Sequence, residues 1–117
     1  IYLFDQRISC LATMNPARRI VICTGRDPLL QIRAAFLLGC HMIMTHGIGF
    51  EETHLAFKNL HPIFESYHSS SGSVVSVQTC WRALCGAKCM RWIDFQDPSN
   101  ADDKFRIHLE EYMHYSR

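Results

Sequence analysis

An α/β layered domain, a central sheet flanked by helices, is the fold class this sequence predicts, and three observations carry the expectation. Arg19-Ile20-Val21-Ile22-Cys23 is a short β-branched run entered through basic residues and left through Thr24-Gly25, the pattern of a strand buried on both faces. Asp27-Pro28 follows at once as a strong helix start: the carboxylate meets free backbone N–H groups, and proline at the first helical position forfeits no hydrogen bond. The helix it opens is apolar on almost every side, so no single stripe faces the core and the helix must lie centrally. One strand alone has no partner, and the first strands of the sheet are expected to precede residue 1.

The elements follow in order. Leu3, Phe4, Ile8, Cys10 and Leu11 make an approximate helical stripe over 2–14, with Asn15-Pro16 as the stop. After the strand and its turn, the central helix runs from 28 to about 45 and carries Leu29, Leu30, Ile32, Ala35, Phe36 and Ile43, among others. Gly47 and Gly49 break it, and Glu51 and Glu52 suit the positive end of a third helix that stops before Pro62. The polar, turn-rich stretch 61–72 reads as an ordered loop with Ile63, Phe64 and Tyr67 tucked inward. Ser73 is placed to cap a last long helix to about residue 92, in which Val77, Trp81, Leu84, Cys85 and Lys88 recur at helical spacing. An acidic connection over 94–103 leads into a tail of mixed preference.

Size and composition bound the rest. At 117 residues, 48% hydrophobic and 20% charged, the chain reads as one domain over 1–117 with a buried core. It opens on Ile1-Tyr2-Leu3-Phe4 with neither an initiator methionine nor a signal segment, and the start reads as an excised one. Twelve basic and eleven acidic residues leave a net charge of +1 with no block of like charge, which favours neither nucleic acid nor a membrane surface. The longest apolar stretch, 34–44, is interrupted by His41 and falls short of the roughly 18 residues that span a bilayer. Cys40, Cys80, Cys85 and Cys89 lie in apolar helical patterns, where a thiol behaves as a small buried hydrophobe, so a reduced protein of the cytoplasm or nucleus is expected.

Chemistry is sought first where a strand, a tight loop and a capped helix meet, because the helix N-terminus aims unpaired N–H groups at the loop. Cysteine-dependent phosphatases add a thiolate nucleophile and, six residues on, an arginine whose planar fork holds two phosphate oxygens. Here Cys23-Thr24-Gly25-Arg26-Asp27-Pro28-Leu29 has the cysteine but places Leu29 at the arginine position, and leucine neither donates a hydrogen bond nor offsets phosphoryl charge. The loop therefore reads as a degenerate phosphate loop made of Cys23, Thr24, Gly25, Arg26, Asp27 and Leu29, with no catalytic residue. Cys23 is expected as a buried strand-end thiol. The alternative is a divergent cysteine phosphatase or sulfur-transfer domain in which Arg26 serves Cys23 at unusual spacing.

Other constellations have plainer readings. Cys85 and Cys89 share a helical face at a spacing that suits two metal ligands, but no further pair stands at a finger spacing from them, and core packing is favoured over zinc. His54, His61 and His68 recur every seven residues, yet Pro62 is expected to interrupt any helix that would align them. Trp81, Trp92 and Phe95 read as residues that seal a core, with a recognition surface as the competing reading. No motif implies a metal or a cofactor.

Arg18-Arg19-Ile20-Val21-Ile22-Cys23-Thr24, then Asp27, then Arg33-Ala34-Ala35-Phe36-Leu37-Leu38-Gly39 resembles the N-terminal domain of the cell-division-cycle-fourteen dual-specificity protein phosphatases, which act in mitotic exit. Phe50-Glu51-Glu52 with Ala56 and Phe57, Trp92-Ile93-Asp94-Phe95, Glu111-Tyr112 and His114-Tyr115 match in the same order, so the resemblance covers roughly residues 18–115. It implies the first of two tandem phosphatase-like domains, the one that has lost catalysis. Such a domain packs on the catalytic domain of the same polypeptide and helps shape a groove for phosphoserine or phosphothreonine followed by proline. Glu110, Glu111, Tyr112, His114 and Tyr115 then fall where the linker to the catalytic domain begins. The two glutamates become candidate contacts to basic substrate, against the competing reading of an ordinary solvated linker. The chain departs from the family pattern at Met113 and Ser116, where acidic residues are usual, and at Ile22 and Cys23.

Overall fold

Asp27 opens the central helix as its chemistry dictates: its carboxylate accepts from the Leu29 backbone N–H at 3.0 Å, with proline in the first turn. The computed structural model describes residues 1–72 and 75–93. Within them the chain forms α1 (Tyr2–Met14), α2 (Pro28–Met44), α3 (Phe50–Ala56), a 3-10 turn (Lys58–Leu60), α4 (His61–Ser71) and α5 (Val77–Cys89). Helix α2 lies at the centre and packs against all four other helices.

No strand forms among the described residues, and the expected α/β fold with a central sheet is thereby corrected to an all-helical one. The reason lies at 19–23. β-propensity is a fit to a pleated, half-buried surface, and an isolated run has no ladder to satisfy its backbone. The segment carries no regular structure, and Val21 is 71% exposed.

The core is built from Ile32, Ala35, Cys40, Ile43 and Met44 of α2, Phe64 of α4, and Trp81 and Leu84 of α5. Trp81 is wholly buried, its ring 5.2 Å from that of Phe57 and 6.0 Å from that of Phe64, and its indole N–H donates to the Phe36 carbonyl at 3.1 Å. A buried indole keeps its large apolar area out of water only if the N–H finds an acceptor, and α2 supplies one. At the far end of α2, Lys88 Nζ donates to the Ile43 carbonyl at 2.7 Å and reaches that of Met44 at 3.5 Å. These carbonyls belong to the last turn, where a cation also meets the negative end of the helix dipole.

Three further expectations change. The stretch 61–72 is a helix and not a loop: Pro62 sits in its first turn, where the missing N–H costs nothing, Phe64 is buried, and Gly72 ends it in the left-handed region at φ 65°. The last helix is capped by Ser76, whose hydroxyl accepts from Thr79 N–H at 3.1 Å, and it stops at Cys89. Arg91 terminates it at φ 58°, with Arg91 N–H bonded to the Lys88 carbonyl and Trp92 N–H to the Ala87 carbonyl. In α1 the expected stripe is only partly covered: Phe4 and Ile8 are half-buried, Leu3, Cys10 and Leu11 are exposed, and the residue of this helix that is fully buried is Asp5.

Candidate functional site

The loop 23–29 gathers Cys23, Thr24, Gly25, Arg26, Asp27 and Leu29 around the first turn of α2. Gly25 takes φ +71°, a conformation open to glycine, and its carbonyl accepts from Gln31 Nε2 at 3.1 Å and from the Thr24 hydroxyl at 3.4 Å. Gln31 thus ties the loop back onto the helix it introduces. Cys23 and Arg26 are exposed, Thr24 and Leu29 half-buried. The expected buried thiol at Cys23 is corrected: with no sheet above it, the residue stands in solvent.

The electrostatics of the loop oppose an incoming phosphate. The positive end of α2 is met by the Asp27 carboxylate, which takes the Leu29 N–H that would otherwise point at an anion. Leu29, at the position where a guanidinium would be needed, offers no donor. Beside the loop lies an apolar cavity of about 250 Å³ lined by Ile22, Thr24, Gln31, Ala35, Leu38 and Phe57, among others. Its walls suit an apolar side chain better than a charged one.

A second cluster escaped sequence reasoning. Asp5 of α1 is 2% exposed and His41 of α2 is 6% exposed, and Asp5 Oδ1 lies 2.6 Å from His41 Nδ1. The Thr45 hydroxyl donates to the same carboxylate oxygen. On the other side of the ring, His41 Nε2 faces the Nε2 of exposed His46 at 3.2 Å. The available signals were an aspartate set among the apolar residues of the first helix and a histidine inside the longest apolar run.

The seven-residue histidine spacing also has a consequence that the expected break at Pro62 hid. His54 and His61 stack with ring centroids 4.0 Å apart, and Phe50 stacks on His54 at 5.5 Å. His61 Nε2 lies 2.8 Å from the His54 carbonyl, which places it as the donor. Arg82 covers the Phe50 ring at 4.5 Å. Because α4 begins at His61 instead of after a broken helix, His54 and His61 meet.

The remaining candidates are dispersed. The six cysteines are free: Cys40 is buried, Cys80 and Cys85 are half-buried, and Cys10, Cys23 and Cys89 are exposed, so Cys89 is not the core thiol expected of it. Burial pushes the Cys40 thiol up to about 12, with Cys80 and Cys85 adding to the rise, and burial also raises Cys85. Trp81 seals the core, but Trp92 is 75% exposed and does not. Phe95, Glu110, Glu111, Tyr112, His114 and Tyr115 lie outside the described residues.

The Dual specificity protein phosphatase CDC14C of Symphalangus syndactylus is 28% identical over 104 residues, covering 86% of this chain and 20% of that protein. The chain spans about a fifth of the length of this relative. The likeness points to a phosphatase-related relationship. No family model matches the chain, and no solved structure matches it.

Proposed function

We propose that this chain is the noncatalytic N-terminal domain of a dual-specificity protein phosphatase, packing on the catalytic domain of the same polypeptide and contributing to recognition of phosphoprotein substrates. The observation that carries the reading is the loop before α2: Asp27 occupies the helix N-terminus with a carboxylate, and Leu29 stands where the phosphate-gripping arginine belongs. A phosphatase-like loop lacking its arginine, in a chain similar to a dual-specificity phosphatase, supports lost chemistry. The work of the parent protein on this reading is protein dephosphorylation in the cell cycle, at mitotic exit, in the cytoplasm or nucleus, and Glu110 and Glu111 draw basic substrate toward the groove.

The second reading, a divergent cysteine phosphatase or sulfur-transfer domain, draws on Cys23 and Arg26 being exposed on one short loop. One experiment separates the two. The purified chain is assayed on an aryl phosphate beside its Cys23→Ser and Arg26→Ala forms, and no turnover above buffer is expected from any of them. Turnover lost in both variants establishes the second reading instead. In the full polypeptide, Glu110→Gln with Glu111→Gln is expected to lower turnover of a basic phosphopeptide severalfold while leaving an aryl phosphate unaffected. Unchanged peptide selectivity removes substrate recognition from the proposal.

A further inference from the structure

The Asp5–His41–His46 cluster plays no part in the reading above, and its geometry is that of a metal-binding edge. An ionised carboxylate only accepts hydrogen bonds, so the proton between Asp5 and His41 belongs to His41 Nδ1. With that proton on Nδ1, the neutral His41 ring keeps its lone pair on Nε2, the nitrogen that faces His46. The Nε2 of His46 faces it at 3.2 Å, a separation that an N–H···N hydrogen bond from His46 spans and that two nitrogens sharing one metal ion also have.

The ring positions depart from a head-on approach. The centroids are 4.9 Å apart and the planes cross at 82°, while the nitrogens are 3.2 Å apart. Two ligand nitrogens held at the roughly 2.0–2.1 Å of a zinc–imidazole bond on a tetrahedron lie about 3.3 Å apart, close to the 3.2 Å between these two. The buried Asp5 behind His41 Nδ1 is the partner that metal-bound histidines ordinarily carry: it orients the ring and raises the basicity of the ligating nitrogen. Thr45 holds the carboxylate in place from the end of α2.

We propose that His41 Nε2 and His46 Nε2 bind a zinc-class divalent cation at the solvent-facing end of α2, with Asp5 as the positioning residue. Among the described residues no third His, Cys, Asp or Glu joins them, so the remaining coordination positions fall to water. Exposed His46 gives the ion its route in. Bound metal clamps the turn after α2 to a histidine already anchored to α1, joining three segments at one point.

The test is titration of Zn2+ into the 117-residue chain, read by calorimetry and by the side-chain ¹⁵N resonances of the histidines. One Zn2+ per chain is expected to shift the Nε2 signals of His41 and His46. His46→Ala is expected to weaken that binding at least about tenfold, and Asp5→Asn by about 10- to 100-fold. Cys89→Ser and Cys10→Ser are expected to leave it unchanged, separating the imidazole site from the free thiols. His46 is exposed, so His46→Ala carries the test alone should Asp5→Asn compromise folding. Equal affinity in the wild-type and His46→Ala chains, or unmoved Nε2 signals, overturns the proposal and leaves an N–H···N hydrogen bond between the rings.

Discussion

The indole of Trp81 fills the space that a side chain on Gly39 would need: an ideal Cβ there falls 2.3 Å from Cε2 and 2.4 Å from Nε1 of the ring. Glycine is required at this point of α2 because the central helix and α5 meet through the rigid face of a tryptophan, which has no flexible end to move aside. Gly39→Ala is therefore expected to destabilise the fold by about 1–3 kcal/mol through overpacking, despite the higher helix propensity of alanine. Denaturant unfolding checks it, and a neutral or stabilising result contradicts this packing.

Trp81→Ala removes the largest buried side chain and leaves the Phe36 carbonyl without the indole donor. A loss of about 3–5 kcal/mol is expected, enough to unfold much of a small domain near room temperature. Trp81→Phe should cost clearly less in the same measurement.

Asp27→Ala removes the side-chain cap of α2 and is expected to cost about 1 kcal/mol, seen as a fall of several degrees in the thermal midpoint. The same change takes the carboxylate away from the helix N-terminus. Under the proposed reading, Asp27→Ala still shows no phosphatase turnover, because Leu29 remains at the arginine position.

Arg91 ends α5 at φ 58°, in the region where a side chain other than glycine is strained. Its hydrogen bonds to Lys88 and those of Trp92 to Ala87 are the two that close a helix around a left-handed residue. Arg91→Gly is expected to stabilise the chain by about 1 kcal/mol, with a matching rise in the thermal midpoint. A drop instead would mean that the arginine side chain contributes more than its backbone strain costs.

Thiol labelling at pH 8 should divide the cysteines by burial. With burial pushing Cys40 up to about 12, its thiolate is scarce at that pH and its reaction should await unfolding. Exposed Cys10, Cys23 and Cys89 are expected to react first, and half-buried Cys85, raised in the same direction, more slowly. Raising the pH speeds the slower group more, since thiolate grows with pH until the thiol has titrated. Fast labelling of Cys40 in folded protein would contradict the core.

What was legible in the sequence was local. The Asp27-Pro28 start, the extent and central position of α2, and the stop of α1 at Asn15-Pro16 each follow from a few neighbouring residues, and the structure has them. What failed depended on distant partners. The run at 19–23 has the composition of a strand, but strand formation needs a second chain segment that local pattern does not specify. The stretch 61–72 has the composition of a turn, yet burial of Phe64 against α2 and α5 carries it into a helix. In the candidate site the loop chemistry was read from contiguous residues, whereas Asp5 and His41 stand 36 positions apart, and each is locally only a polar residue in an apolar setting with nothing to say that the two meet.

That pair changes how α1 is held. An apolar stripe adheres in many rotations and slides at little cost, because dispersion is indifferent to direction. A lone carboxylate seated between an imidazole and a hydroxyl has one acceptable orientation, and a turn of the helix would strand it without partners. The first helix is keyed more than glued: its place is chosen by a fit that tolerates no substitute register, and loosening that fit would free the segment as a whole.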